Sequence, residues 1–360
     1  MNFSGSYRSD DVTFLLKPLA MADFVDVAEK EKLIQSGQRH YSEMLSPESL
    51  PSARYLNVFR EACAANLERM ARDCLHLAAL IAQRRSGPIT LVSLARAGTP
   101  VGVVLKHLLK DALQREVEHY SVSIIRDRGI DQVALEHILA QGHAPESIVF
   151  VDGWTGKGVI SRELESAIAE FNARRGTAIE GGLYVLSDLA GSAACAASCD
   201  DYLIPSSILN ATVSGLVSRS ILNQSIGAAD FHGCVYYEQF APQDQSQAFA
   251  DALVARAIAL GPVANSAPMN KEHAAAVSRD YMRAALAQHG INNVNLVKPG
   301  IGEATRVLLR RVPRLLILRA EGAPEVAHLE LLAKEKNVPV LVDRELPYHA
   351  VSLIRSAVDG

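Results

Sequence analysis

The chain has 360 residues and a formal net charge of -4, with 49% hydrophobic and 21% charged residues, the balance of a soluble protein with a large core. At one domain per ~150 residues this length predicts two or three domains. The mild acidity argues against a general nucleic-acid or membrane-surface binder, and no apolar run nears the ~20 residues of a membrane span. The N-terminus carries acids and no apolar leader stretch. Cys63, Cys74, Cys195, Cys199 and Cys234 form no CxxC, and their odd number suits a reducing cytoplasm.

In chain order, Val12 to Leu16 reads as a strand closed by Lys17-Pro18. The polar stretch EKEKLIQSGQRHYSEML reads as a helix broken at Gly37. Its Lys30, Lys32, Arg39, His40 and Tyr41 form either a solvated face or a reach toward an anionic ligand. Pro51 to Arg85 reads as one long helix, with Val58, Phe59, Ala62, Leu67, Met70 and Cys74 near helical spacing. Strands then alternate with helices: Ile89–Leu94, Val122–Ile125, Ser147–Val151, Leu183–Leu186 and Tyr202–Ile204. That alternation predicts an α/β fold, a parallel sheet with helices on both faces whose ligands lie beyond the carboxyl ends of the strands. Arg96, Arg126, Arg128 and the loop after Val151 all fall at those ends.

Ser147 to Leu164, SIVFVDGWTGKGVISREL, is the most informative stretch. An apolar strand leads to Asp152, then to the turn GWTGKG, then to a helix carrying Ile160, Leu164, Ile168 and Phe171 on one face. Glycines at a helix N-terminus put free backbone N–H groups and the positive end of the helix dipole at one point, which suits a phosphate. The order Lys157-Gly158 excludes a GxxxxGK[ST] loop.

This loop resembles that of the type I phosphoribosyltransferases, which bind 5-phosphoribosyl 1-diphosphate (PRPP). The resemblance implies a phosphoribosyltransferase-like sheet in which Asp152 holds the ribose and Thr155, Gly156, Lys157 and Gly158 wrap the 5′-phosphate. LARAGTP, Leu94 to Pro100, resembles the family's pyrophosphate loop, so Arg96, Ala97 and Gly98 would bind diphosphate. RDRGID, from Arg126, stands where that family carries a flexible cover loop, which would bring Arg126 and Arg128 onto the diphosphate. Asp152, Arg96 and Arg126 are the implied catalytic residues, with Mg²⁺ carried by the diphosphate and Asp152 the one protein carboxylate beside it. The pattern departs from the family in having Asp152 alone, with Gly153 where a second acid sits.

Asn210 and Thr212 are expected to cap a helix, and Asn210, Ser214, Arg219 and Tyr236 to form an acceptor pocket. For Tyr236 and Tyr237, in FHGCVYYEQF, substrate stacking and core packing are equal alternatives. From Ile291 a second α/β unit is expected, with strands at Val294–Val297, Leu315–Leu318 and Val338–Val342 and helices at Gly302–Arg311 and Ala327–Lys336. Its KPGIGEATRVLLRRVP resembles the Pelota-type RNA-binding fold, and Lys298, Arg306, Arg310 and Arg311 make a basic edge that grips RNA, completes the PRPP site or is simply a solvated helix face. The expected division is a 1–88 N-terminal arm or hood, an 89–290 core and a 291–360 Pelota-like domain.

Over nearly its full length the chain resembles bacterial phosphoribosyltransferase-plus-Pelota proteins of tellurite-resistance and stress gene clusters, some named StiP-type cysteine proteases. The resemblance implies phosphoribosyl transfer from PRPP to an unidentified small-molecule acceptor, with RNA as a further partner and the oligomeric state open. The alternatives are a cysteine protease and a non-catalytic nucleotide- or RNA-binding protein. A protease needs a thiolate beside a histidine. Cys234 with His232 is the nearest candidate, and Cys74 with His76 lies poorly for it on a helix.

Overall fold

Alternating side chains build the core of this protein. In a computed structural model describing residues 3–20, 24–262 and 270–355, Ile89, Leu91, Val149, Val151, Tyr184 and Leu186 face one side of a sheet. Val92, Leu94, Ile148, Phe150, Leu183 and Val185 face the other. Both faces are apolar because both are covered by helices.

The elements run β1 (Thr13–Leu15), β2 (Lys17–Pro18), α1 (Val27–Gln35), α2 (Ala53–Arg84), β3 (Ile89–Ala95), α3 (Thr99–His107), β4 (Val117–Ile125), β5 (Gly129–Ile130), α4 (Gln132–Ala140), β6 (Ile148–Thr155), α5 (Val159–Arg175), β7 (Leu183–Asp188) and β8 (Cys195–Ser198). They continue with β9 (Gly233–Cys234), α6 (Ser246–Leu260), α7 (Lys271–His289), β10 (Val297–Pro299), α8 (Ile301–Arg310), β11 (Pro313–Leu318), α9 (Ala327–Glu335), β12 (Val340–Val342) and β13 (Ala350–Ile354).

The main sheet has the order β1-β4-β3-β6-β7-β8, every neighbour in it parallel, with β5 antiparallel on β4. Residues of α2, α3 and α6 pack on one face and residues of α4 and α5 on the other. Helix α2 starts where Ser52 Oγ accepts the Tyr55 N–H. Its Met70, Ala71, Cys74, Leu77, Ala78 and Ile81 are fully buried. The N-terminal segment is woven into the core, because β1 pairs with β4.

Four expectations change. Tyr202–Ile204 is buried but forms no strand; the strand beside β7 is β8, whose small residues Cys195–Ser198 give a weak signal. Strand β6 runs through Asp152, Gly153 and Trp154 to Thr155, held by ladder pairs of Trp154 with Ser187 and of Thr155 with Asp188. Asn210 caps no helix, since only the short turn Ala211–Val213 follows and no side chain caps it. In the C-terminal unit, Val294–Leu296 is a 3₁₀ turn before β10.

The C-terminal sheet has the order β10-β13-β11-β12. Asp201 fastens it to the core: one carboxylate oxygen accepts the Ile301 N–H and the other the His349 N–H, both at 2.8 Å. Among the described residues no helix is long and apolar enough to cross a membrane.

Candidate anion-binding cleft

The carboxyl ends of β3, β4 and β6 each lead into a turn, and the three turns lie side by side. After β3, the Ala95–Arg96 peptide is cis. Gly98 is pressed so close to β6 that a side chain there would meet the Val151 carbonyl at 2.7 Å. Arg96 is buried and committed: it donates to the Val217 carbonyl at 2.8 Å and pairs with Glu48 at 2.7 Å.

After β4, the Arg126 N–H donates to Tyr41 Oη at 2.7 Å, and its guanidinium donates to Asn295 of the C-terminal unit at 3.1 Å. The turn is fastened from below, because Glu163 of α5 accepts the N–H groups of Asp127 and Gly129 at 2.8 and 2.9 Å. It is therefore a turn anchored on α5 rather than a loose loop. Arg128 is half exposed and lies 3.8 Å from Glu43.

After β6, the turn is only Gly156-Lys157-Gly158. Thr155 Oγ1 accepts the Gly158 N–H at 3.0 Å, and Gly158 takes φ of 68° at the uncapped start of α5. A side chain at 158 would also meet Ser192 at 2.6 Å, so glycine is required twice over. Asp152 accepts the N–H of Gly153 at 2.8 Å, and burial pushes its carboxyl up to about 6. Lys157 donates to the Val294 carbonyl at 2.8 Å; burial, then the charge of Lys298, brings its ammonium down to about 7.

The C-terminal unit closes over this turn. Gly302 lies against the Trp154 ring, where a side chain would come within 3.0 Å, and the Arg306 guanidinium sits 5.5 Å from that ring. Glu303 pairs with Arg306 at 2.9 Å and Lys298 at 3.5 Å. Burial would raise the Glu303 carboxyl, but Arg306, Lys298 and Lys157 hold it at about 2. Arg311 grips Glu31 of α1 at 2.7 Å, and Lys30 beside it donates to the Met44 carbonyl at 2.7 Å. Burial and the charges of Arg219 and Arg311 bring Lys30 down to about 7. The basic edge of the C-terminal unit thus faces into the cleft. The Arg310 side chain lies outside the described residues.

The expected acceptor residues take different surroundings. Ser214 donates to the Asn210 carbonyl, and Asn210 Oδ1 is buried without a partner among the described residues. Arg219 lies among Arg96, Arg311, Glu48 and Tyr41. Tyr236 packs edge-on against Phe3, ring centres 5.6 Å apart, so core packing claims it. Its neighbour Tyr237, stacked on Phe240, has Glu48, Arg96 and Arg219 as electrostatic neighbours. Glu48, Glu163 and Glu303 carry no local sequence signal; only their partners identify them.

Among the described residues no group of three His, Cys, Asp or Glu side chains gathers to hold a metal. The described cysteines are free thiols. Cys234 is fully buried and burial pushes its thiol up to about 12, while His232 Nδ1 is engaged with Ser123 Oγ at 2.7 Å. Cys74 is likewise sealed in the core, and His76 turns to the Ala197 carbonyl. Neither pair forms a dyad. Cys199 is exposed, but partial burial and Asp200 raise its thiol.

The family described as tellurite-like stress resistance cysteine protease StiP matches residues 5–254. A curated relative from Acinetobacter baylyi, named cysteine protease StiP, is 43% identical over 99% of this chain and 96% of its own length. This chain belongs to the StiP family. Residues 276–356 match the PELOTA RNA-binding domain, so this StiP-family chain joins its matched segment to a Pelota-type unit that begins within α7. Among solved structures, a Helicobacter pylori xanthine-guanine-hypoxanthine phosphoribosyltransferase covers 36% of this chain and 79% of its own at 20% identity and a TM-score of 0.26, a likeness too slight to carry an argument.

Proposed function

We propose that the cleft binds a phosphorylated ribosyl ligand of the PRPP type and transfers its ribosyl group to a small acceptor. The observation that carries this reading is the convergence of Lys157, Lys298, Arg126 and Arg306 on a glycine turn at a helix N-terminus, beside two carboxylates, Asp152 and the Glu303 that pairs with Lys298 and Arg306. Such a turn offers backbone donors to a phosphate, and the cations neutralise its charge. Asp152, ionised above about pH 6, would orient the ribose and stabilise positive charge developing at C1. Arg126 and Arg219 would meet the charge on departing diphosphate, and catalysis would come from positioning and electrostatics.

Arg96 enters only as a scaffold, because its donors are spent on Val217 and Glu48. Among the described residues no protein-held Mg²⁺ site is built, since the acid beside Asp152, Glu303, is paired with Lys298 and Arg306 and Gly153 stands where a second acid could. In this reading Mg²⁺ arrives with the phosphates of the ligand. Calorimetry with PRPP, followed by diphosphate release against a panel of nucleobases and small metabolites, tests the reading. Binding lost in Lys157→Gln and release lost in Asp152→Asn support it; absence of PRPP binding refutes it.

A second reading, cysteine proteolysis, is favoured by the description of the family and the name of the Acinetobacter relative. Its candidate nucleophile is Cys199, the exposed thiol at the carboxyl end of β8. Peptide cleavage that survives Cys199→Ser would remove that assignment. RNA recognition by the C-terminal unit rests on the Pelota match, although Thr305 of its helix is spent on the Ile301 carbonyl and His328.

A further inference from the structure

The C-terminal sheet ends on one side in a bare edge. Strand β12 pairs with β11, and among the described residues no strand takes its other side. The bonds to β11 fix which groups are left over. The Pro339 carbonyl accepts the Leu316 N–H at 3.0 Å, and the Asp343 N–H donates to the Leu318 carbonyl at 2.9 Å. Backbone groups alternate sides along a strand, so Leu341 also faces β11 while Val340 and Val342 turn their N–H and C=O groups to the open side. The side chains are open as well: Val340, Leu341 and Val342 are 44%, 40% and 42% exposed, although successive residues point to opposite faces. Edges are ordinarily blunted by a lysine, a proline or a bulge within the strand, and these three residues carry none. The sheet's other edge, β10, is closed by the core, where a side chain at Gly156 would meet the Pro299 carbonyl at 3.1 Å.

We propose that a second copy of this chain occupies the β12 edge, joining two C-terminal sheets antiparallel across a two-fold axis at Leu341. The strand is complementary to itself in that register. Val340 stands opposite Val342 of the second copy and exchanges N–H···O=C bonds with it, and the two Leu341 side chains meet at the axis. Charge favours the same direction. The chain entering β12 carries exposed Lys334 and Lys336, and Glu335 between them is spent on Arg54 of α2. The chain leaving it carries Asp343 and exposed Glu345 against one cation, Arg344. Antiparallel pairing sets the basic end of each copy beside the acidic end of the other, whereas parallel pairing sets like beside like. Three residues bury less than the ~1,000 Å² of a stable interface, so the dimer is weak, with a Kd of about 10–500 μM. The pairing needs no ligand in the cleft.

The test is sedimentation of the full chain from about 5 to 500 μM, where monomer is expected to give way to dimer. Over the same range the Val340 and Val342 amides should gain about tenfold protection from exchange, while the Leu341 amide, facing β11, stays constant. Val342→Pro removes an edge donor without touching a bond to β11, and should weaken association about tenfold or more at an unchanged unfolding midpoint. Lys336→Glu and Glu345→Lys should each weaken it about threefold at low salt, and an equimolar mixture of the two should restore it, because each supplies the charge the other lacks. Should Val342→Pro fail to fold, the mixing experiment and amide exchange decide alone. A chain that stays monomeric throughout overturns the proposal and leaves the edge to a strand of another protein. So does a dimer that Val342→Pro leaves intact, or charge variants that associate like wild type or fail to recover on mixing.

Discussion

Replacing Asp201 with alanine should loosen the C-terminal unit and weaken the cleft together. The carboxylate accepts N–H groups from Ile301, the first residue of α8, and His349, just before β13. Each bond to a charged acceptor contributes about 1.5–3 kcal/mol, so removing both costs about 3–6 kcal/mol. Relief of the buried charge offsets part of this. Burial has raised the Asp201 carboxyl from 3.8 to about 6, and a shift of that size corresponds to about 3 kcal/mol at ~1.4 kcal/mol per unit. The net loss at neutral pH is therefore about 0–3 kcal/mol. The sign with pH follows from the raised value: the folded state holds the proton more tightly, so this group's contribution falls as pH rises from about 4 to 6. The loss in Asp201→Ala should then be larger at pH 4 than at pH 7. Urea unfolding at both pH values, with amide exchange at Ile301 and His349, measures it. Diphosphate affinity should fall too, because Lys298, Arg306 and Arg311 are seated by the same joint. Unchanged exchange at both amides and an unchanged midpoint would refute the reasoning.

Other expectations concern the cleft and the thiols. Anion affinity should decline as pH rises through about 7, where Lys30 and Lys157 lose their protons, by up to about tenfold per unit for each lysine the anion keeps charged; a flat calorimetric profile from pH 6 to 8.5 would contradict this. Gly158→Ala should destabilise the fold by about 1–3 kcal/mol in urea, since it meets a φ of 68° and Ser192 at 2.6 Å. Under native conditions iodoacetamide should label Cys199 well before Cys74 or Cys234, read by peptide mass spectrometry, because those two are 0% exposed.

The sequence by itself determined the alternation of β3, β4, β6 and β7 with helices and the long helix α2. These are local matters: apolar periodicity and glycine at a forced turn are written within a few residues. It also named Arg96, Arg126, Lys157, Arg219, Lys298 and Arg311 without deciding which would meet. Only tertiary structure decided that Arg96 is spent on Glu48, that Tyr237 and not Tyr236 has Arg219 as an electrostatic neighbour, and that the C-terminal basic edge turns inward. It likewise set β8 in place of Tyr202–Ile204, because a short run of small residues becomes a strand only through the partner β7 offers. Charge in a sequence is a count, whereas the pairing of charges depends on contacts between residues far apart in the chain.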